Sequence, residues 1–141
     1  MAEPVLHQAS AVAIGGRALI IEGPPGSGKS SLTLALIDRG ATLVGDDGLA
    51  LTWRHGGLLA SPAPTIAGLL EVRNLGLLQF AHVGEIPGAL VLRLDPAAPR
   101  FIEAAEMTEL GGIALPLVRL WPDSPVLALR AEQALARYGL P

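Results

Sequence analysis

Apolar positions in this chain come in short runs separated by glycine, proline and acidic residues. Runs of about four to eight such residues read as strands, whereas helices need longer stretches with a 3.6-residue period. Val5-Leu6-His7 and Ser10-Ala11-Val12-Ala13-Ile14 form a strand pattern broken near Gln8, with Val12 and Ile14 on one face. Gly15-Gly16 follows directly and predicts a tight hairpin into Arg17-Ala18-Leu19-Ile20-Ile21-Glu22, a short buried strand. Residues 41–45 and 49–54 predict a third and a fourth strand. His55-Gly56-Gly57 turns the fourth into 58–60, and Pro62 and Pro64 end that run. Residues 66–71 fit a short helix or extended chain. Residues 89–94 predict another strand, stopped by Asp95-Pro96, and 99–108 reads as loop or weak helix. Residues 114–120 predict an edge strand, because Pro116 has no N–H to give to a ladder.

Two stretches carry helix signals. Residues 30–39 contain neither Gly nor Pro, place Leu32 and Leu36 on one face, and end at Gly40, where a C-terminal glycine belongs. Farther on, Ser124 is placed to cap and Pro125 suits a first turn. Leu127, Ala131, Ala134, Leu135 and Tyr138 then share a face before Gly139. Hairpins on both sides of a strand–helix unit predict an α/β fold with a mixed, partly antiparallel sheet. A doubly wound sheet would put a helix between most strands. The 141 residues suit a single domain, 1–141, with no repeat or linker.

Between strand 17–22 and helix 30–39 lies Gly23-Pro24-Pro25-Gly26-Ser27-Gly28-Lys29-Ser30, which fits the phosphate-loop pattern G-x-x-x-x-G-K-[ST]. Lys29 is the only lysine; the other basic positions are arginine. A compact ammonium on a flexible stem suits a phosphate chain better than a planar guanidinium. The glycines let backbone N–H groups turn toward phosphate oxygens, and the helix N-terminus adds partial positive charge. Lys29 would reach the β- and γ-phosphates of ATP, and the Ser30 hydroxyl would ligate Mg²⁺.

Carboxylates follow at two places. Asp46-Asp47 comes after the third strand, close to where the loop would hold phosphate. Adjacent strand residues point to opposite faces, so one of the two aims at the γ-phosphate unless the backbone turns there. Periodicity leaves open which one. An Asp-Asp-Gly turn would account for the pair by itself, but the phosphate loop upstream favours a Mg²⁺ or base role. Glu71-Val72-Arg73-Asn74-Leu75-Gly76-Leu77 is a second polar island. Glu71 and Arg73 share a face if extended. They are either a surface ion pair worth under ~1 kcal/mol or a Mg²⁺ carboxylate beside a phosphate-binding arginine.

Composition narrows the classes. Half the residues are apolar, yet no run approaches the ~20 residues of a membrane span. Met1-Ala2-Glu3-Pro4 lacks the basic start and long apolar core of a signal peptide. With no cysteine there is no disulfide or thiolate metal site, and a cytoplasmic protein is expected. A net charge of −3 and 4% aromatic residues argue against nucleic-acid binding. His7, His55 and His82 show no metal-ligand spacing.

These pieces, in this order, resemble HPr kinase/phosphorylase, which phosphorylates a serine of the phosphocarrier protein HPr. The resemblance rests on Leu6-His7, the loop 23–30, Arg39-Gly40, Leu43-Val44-x-Asp46-Asp47 and Glu71 to Leu77, and runs from about Val5 to Ala136. It implies a P-loop kinase fold of the HPr kinase and PEP carboxykinase type, matching the family's C-terminal catalytic domain without its N-terminal domain. It also implies ATP and Mg²⁺ as cofactors, an HPr-like partner, and hexamers as a possible assembly. By resemblance, His7 and Arg100 belong to the catalytic site, Lys29 holds phosphate, Ser30 and Glu71 ligate Mg²⁺, and Asp47 is the base; the residues themselves add Arg73 as a phosphate contact and Asp46 as a Mg²⁺ group. The sequence departs from the family at Ser31, where a glutamate is usual, and at Asn74, where the signature has glycine. Residues 120–125 also lack the arginines of a stretch linked to phosphorylase activity. Two other classes fit the loop: a small-molecule kinase, and an ATP-binding regulator without chemistry. The first would carry an arginine-rich lid, and the second would not need Asp46, Asp47 and Glu71.

Overall fold

The computed structural model describes residues 3–141, so Met1 and Ala2, part of the stretch read against a signal peptide, lie outside the described residues. The chain begins with an antiparallel unit. Strand β1 (Val5–His7) turns through Gln8 into β2 (Ser10–Ile14), and the glycine hairpin joins β2 to β3 (Arg17–Glu22) as the sequence predicts. Helix α1 (Lys29–Asp38) follows the loop, and then come β4 (Thr42–Gly45), β5 (Leu49–Arg54) and β6 (Gly57–Pro62). A single 3-10 turn (Pro64–Ile66) leads to a separate hairpin of β7 (Leu69–Val72) and β8 (Gly76–Gln79). The long β9 (Ile86–Leu94), the hairpin β10 (Glu106–Leu110) and β11 (Ile113–Leu120), and helix α2 (Leu127–Tyr138) complete the chain.

The sheet explains where a site can form. Strand β2 pairs antiparallel with both β3 and β4, while β3, β9 and β11 pair in parallel. Thus β4, β3, β9 and β11 all run the same way and end along one edge. In open α/β sheets, ligands bind in the crevice beyond the carboxyl ends of such strands. Here that edge carries Asp46 after β4, the phosphate loop after β3, Asp95-Pro96 after β9 and Trp121-Pro122-Asp123 after β11.

Strand alternation splits the core into two layers. Leu19 and Ile21 of β3, with Leu90, Leu92 and Leu94 of β9, face the helices and pack against Leu32, Leu36, Ala131 and Leu135. Ala18, Ile20 and Val91 face the other way, onto Leu49, Leu51, Leu58 and Ala60 of β5 and β6. Both helices therefore lie on one side, and the β1–β5–β6 ladder covers the other.

Three expectations need correction. Strand β11 is not an edge strand: β10 flanks it on one side, and β9 takes Leu117 to Leu120 on the other. Pro116 is tolerated because the pairing with β9 starts one residue later, so no neighbour on that side awaits its missing N–H. Of residues 99–108, read as loop or weak helix, the last three belong to β10. Ser124 does not cap α2, whose N-cap is Val126; its hydroxyl accepts the Val126 N–H at 3.2 Å in a turn before the helix.

Candidate active site

The loop between β3 and α1 is shaped by its glycines. Gly26 (φ 80°) and Gly28 (φ 101°) adopt left-handed conformations that only glycine takes easily. Gly28 is the N-cap of α1 and supplies no side chain, and the first turn carries no acid. The positive end of α1 is thus left to a ligand rather than to a side-chain cap. Gly23, Pro25, Gly26, Gly28, Lys29 and Ser30 line an open cleft of about 530 Å³, together with Gln8, Ser31, Asp46, Asp47, Glu71 and Arg73. Pro24 and Ser27 line adjoining pockets instead.

Asp46 organises the floor of this cleft. It is buried, and its Oδ1 accepts hydrogen bonds from Ser30 Oγ at 2.7 Å and Ser10 Oγ at 2.9 Å. Its Oδ2 accepts the backbone N–H of Glu71 at 3.1 Å. One carboxylate therefore ties α1, β2 and β7 together. The chain then turns at Asp47, whose φ is 55°, a region aspartate tolerates better than most residues. Its N–H donates to Ser10 Oγ at 3.1 Å. Gly45 permits this turn, because a Cβ there would lie 2.6 Å from the Gly48 carbonyl oxygen. The result separates the two aspartates: Asp46 is engaged and inward, and Asp47 is exposed with no side-chain partner among the described residues.

The β7–β8 hairpin delivers the other polar island. Arg73 Nε lies 3.4 Å from Glu71 Oε1, and both side chains are more than half exposed. Asn74, where the signature has glycine, sits at the turn with φ 73°. Asparagine is among the few side chains that enter this region readily, so the turn survives the replacement. Lys29 Nζ donates to the carbonyls of Gly23 (2.6 Å) and Pro24 (3.1 Å). It is folded across the loop rather than extended into open solvent, as a free phosphate-binding lysine would be expected to lie.

The family model described as HPr Serine kinase C-terminal domain matches residues 1–86. This chain belongs to that family. It is 45% identical over 69 residues to the HPr kinase/phosphorylase of Bordetella pertussis, which spans 48% of this chain and 22% of that protein. It is 40% identical over 78 residues to that of Clostridium tetani, spanning 55% of this chain and 26% of that protein. The matched segment is thus about a fifth to a quarter of these relatives' length. The fold matches the Hpr(Ser) kinase/phosphatase structure from Coxiella burnetii with a TM-score of 0.82, covering 94% of each chain at 24% identity.

Within this HPr kinase-type domain, two residues named by resemblance are not brought into the cleft. Arg100 lies in the exposed segment before β10, with its guanidinium 5.4 Å from the centroid of the Phe101 ring, and it does not line the cleft. His7 lines an adjoining pocket that shares Gln8 and Gly23 with the cleft. There its Nε2 contacts Glu22 Oε2 at 2.9 Å, and Arg93 Nη2 donates to Glu22 Oε1 at 2.6 Å. Burial pushes the Glu22 carboxyl up, but the bonds from His7 and Arg93 outweigh it and hold it below the ordinary value of 4.5.

A carboxyl depressed in the folded state stabilises the fold above its unfolded pKa, and the benefit fades as pH falls through the folded value. Glu22→Gln is therefore expected to be less stable than wild type near neutral pH, with the gap narrowing below about pH 4. Urea melts of both proteins at the two pH values check this; a constant gap would show that the ionised carboxyl is not what matters.

Sequence reading missed Ser10, Gln8, Glu22 and Arg93. Ser10 is fully buried and bridges both aspartates. Its only signal was a lone hydroxyl at the head of an apolar strand. Its position opposite Asp46 follows from the pairing of β2 with β4, which local pattern does not reveal.

Proposed function

We propose that this domain is an ATP-dependent, Mg²⁺-requiring protein-serine kinase acting on an HPr-like phosphocarrier protein in the cytoplasm. One observation carries the reading: most of the phosphate loop, a serine–aspartate pair and an aspartate with no side-chain partner among the described residues line one cleft. The donor set fits Mg²⁺, which takes oxygen ligands from one or two carboxylates and shares the rest with phosphates and water. The Ser30 hydroxyl, Asp46 and Glu71 would hold it, and bound there it would neutralise phosphate charge. Lys29 and the N–H groups at the start of α1 would bind the β- and γ-phosphates, with Arg73 at the cleft wall. Asp47, whose carboxylate has no partner among the described residues, would take the proton from the attacking serine hydroxyl. The test is incubation with labelled ATP, Mg²⁺ and HPr-like proteins of the host, followed by mapping of the label. Label on a serine of such a carrier supports the reading, and label on small metabolites alone overturns it.

The same cleft bears on direction. In the reverse reaction, inorganic phosphate attacks phosphoserine, the serine O–P bond breaks, and pyrophosphate forms. That gathers several negative charges and calls for more fixed cations than the forward step. Arg119, the nearest candidate beside the arginine-poor 120–125 stretch, is already occupied. Its Nε donates to Glu106 at 2.8 Å and its Nη1 to Asp95 at 3.2 Å. Those bonds, Glu106 foremost, raise its pKa above the ordinary arginine value. Forward transfer is expected to exceed phosphate-driven dephosphorylation by more than about tenfold. Pyrophosphate release from phosphoserine carrier as fast as forward transfer would contradict this.

A further inference from the structure

A second cavity, of about 610 Å³, lies on the other flank of the phosphate loop. It is formed by Pro25 of the loop, Leu94 and Pro96 at the end of β9, and Trp121, Pro122 and Asp123 after β11. None of the roles above uses it. Pro25 and Gly26 line both this cavity and the phosphate cleft, so the two adjoin across the loop. A triphosphate held with its far end toward Asp46 and Asp47 leaves its near end on this side.

The walls are rich in proline and more apolar than polar. Four prolines, Pro24, Pro25, Pro96 and Pro122, have few conformations to lose on binding. Trp121 is 40% exposed, yet its indole N–H donates to the Ala98 carbonyl at 2.7 Å, which fixes the ring. The Arg130 guanidinium stands 5.9 Å from the ring centroid. A fixed, part-exposed indole is a stacking surface that accepts any planar base. Asp123 is the charged side chain among the lining residues. Its negative charge turns phosphate away, so the polyphosphate itself does not fill this side.

We propose that this cavity seats the nucleobase of the nucleoside triphosphate, stacked on Trp121. The proposal rests on the phosphate-loop reading above and deepens it. Strand topology supports it, since β9 and β11 are the parallel strands flanking β3 on the side away from β4, and their carboxyl ends build the cavity.

The test compares MgATP with magnesium tripolyphosphate, which carries the phosphates and no base. Both are titrated by calorimetry into wild type, Trp121→Ala and Trp121→Phe. The expected result is that wild type binds MgATP more tightly than tripolyphosphate. Trp121→Ala should weaken MgATP about tenfold and leave tripolyphosphate unchanged, while Trp121→Phe should retain most of the MgATP affinity. Indole fluorescence should respond to MgATP but not to tripolyphosphate, and the response should vanish in Trp121→Ala. Equal affinity of wild type for the two ligands, or unchanged MgATP affinity in Trp121→Ala, overturns the base pocket and leaves the loop assignment intact. Equal loss of both ligands in Trp121→Ala also overturns it, because the ring would then be bracing the loop. Failure of wild type to bind either ligand would instead overturn the loop reading itself, and the pocket with it.

Discussion

Asp47→Asn is expected to bind MgATP with near-wild-type affinity and to transfer phosphate about 10²–10⁴-fold more slowly, the usual contribution of a positioned general base. The substitution is well suited to isolate chemistry from structure. Asparagine has the size of aspartate and accepts a left-handed backbone as readily, so the φ of 55° should persist. The bond from the residue 47 N–H to Ser10 Oγ is a backbone bond and is untouched. The side chain is exposed, so no buried partner is left unpaired. What disappears is the ability to take a proton at the cleft.

The neighbouring substitution should behave differently. Asp46 uses both oxygens, with two hydroxyls on one and a backbone N–H on the other. In Asp46→Asn one of those positions becomes an NH₂ group, which faces either another donor or two hydroxyls that must reorient. Leaving a buried donor unsatisfied costs roughly 1–3 kcal/mol. Asp46→Asn should therefore lose stability and need more Mg²⁺, through its hold on Ser30. Single-turnover rates and Mg²⁺ titrations of both variants decide the matter. If Asp47→Asn turns over like wild type and Asp46→Asn does not, the roles of the two aspartates are exchanged.

What could be read from the sequence was local. The hairpin from β2 to β3, the loop and α1 are contiguous, and each is encoded by its own residues: two glycines, a spaced motif, and a helix without breakers. Pairing between distant segments was not legible. Strand β8 is exposed throughout and has no alternating pattern, so only its partner β7 makes it a strand. Strand β10 contains Glu106, Met107, Glu109 and Leu110, which suit a helix as well; the ladder to β11 overrides that preference. The site follows the same division. Lys29, Ser30, Asp46, Asp47, Glu71 and Arg73 carry local signals and line one cleft. Ser10 and the His7–Glu22–Arg93 group depend on which strands lie side by side. Arg100, named by resemblance, is not among the residues lining the cleft, because a residue in an irregular segment is placed by the path of that segment rather than by its neighbours in sequence.

Lys29→Ala should weaken MgATP at least about 10–100-fold, the worth of a charge-assisted hydrogen bond, while the domain stays folded. The geometry makes this more than the loss of a contact to ligand. In the free protein the ammonium donates to the Gly23 and Pro24 carbonyls, so it also closes the loop upon itself. The loop of Lys29→Ala would lose both bonds. Those carbonyls are not deeply buried and can turn to water, so the cost falls on the order of the loop rather than on the core. The packing of Leu32 and Leu36 against the sheet does not involve Lys29. Melting temperature should therefore change little, whereas the N–H groups that await phosphate would no longer be held in place. Lys29→Arg separates the two effects. It keeps the charge and can still reach a carbonyl, but its planar fork is a poor substitute for a compact ammonium between two phosphates. Its expected affinity lies between those of Lys29→Ala and wild type. Calorimetry on the three proteins, with a thermal melt of each, checks the assignment. Unchanged MgATP affinity in a folded Lys29→Ala protein would remove the loop from nucleotide binding, and with it the basis for placing the γ-phosphate next to Asp47.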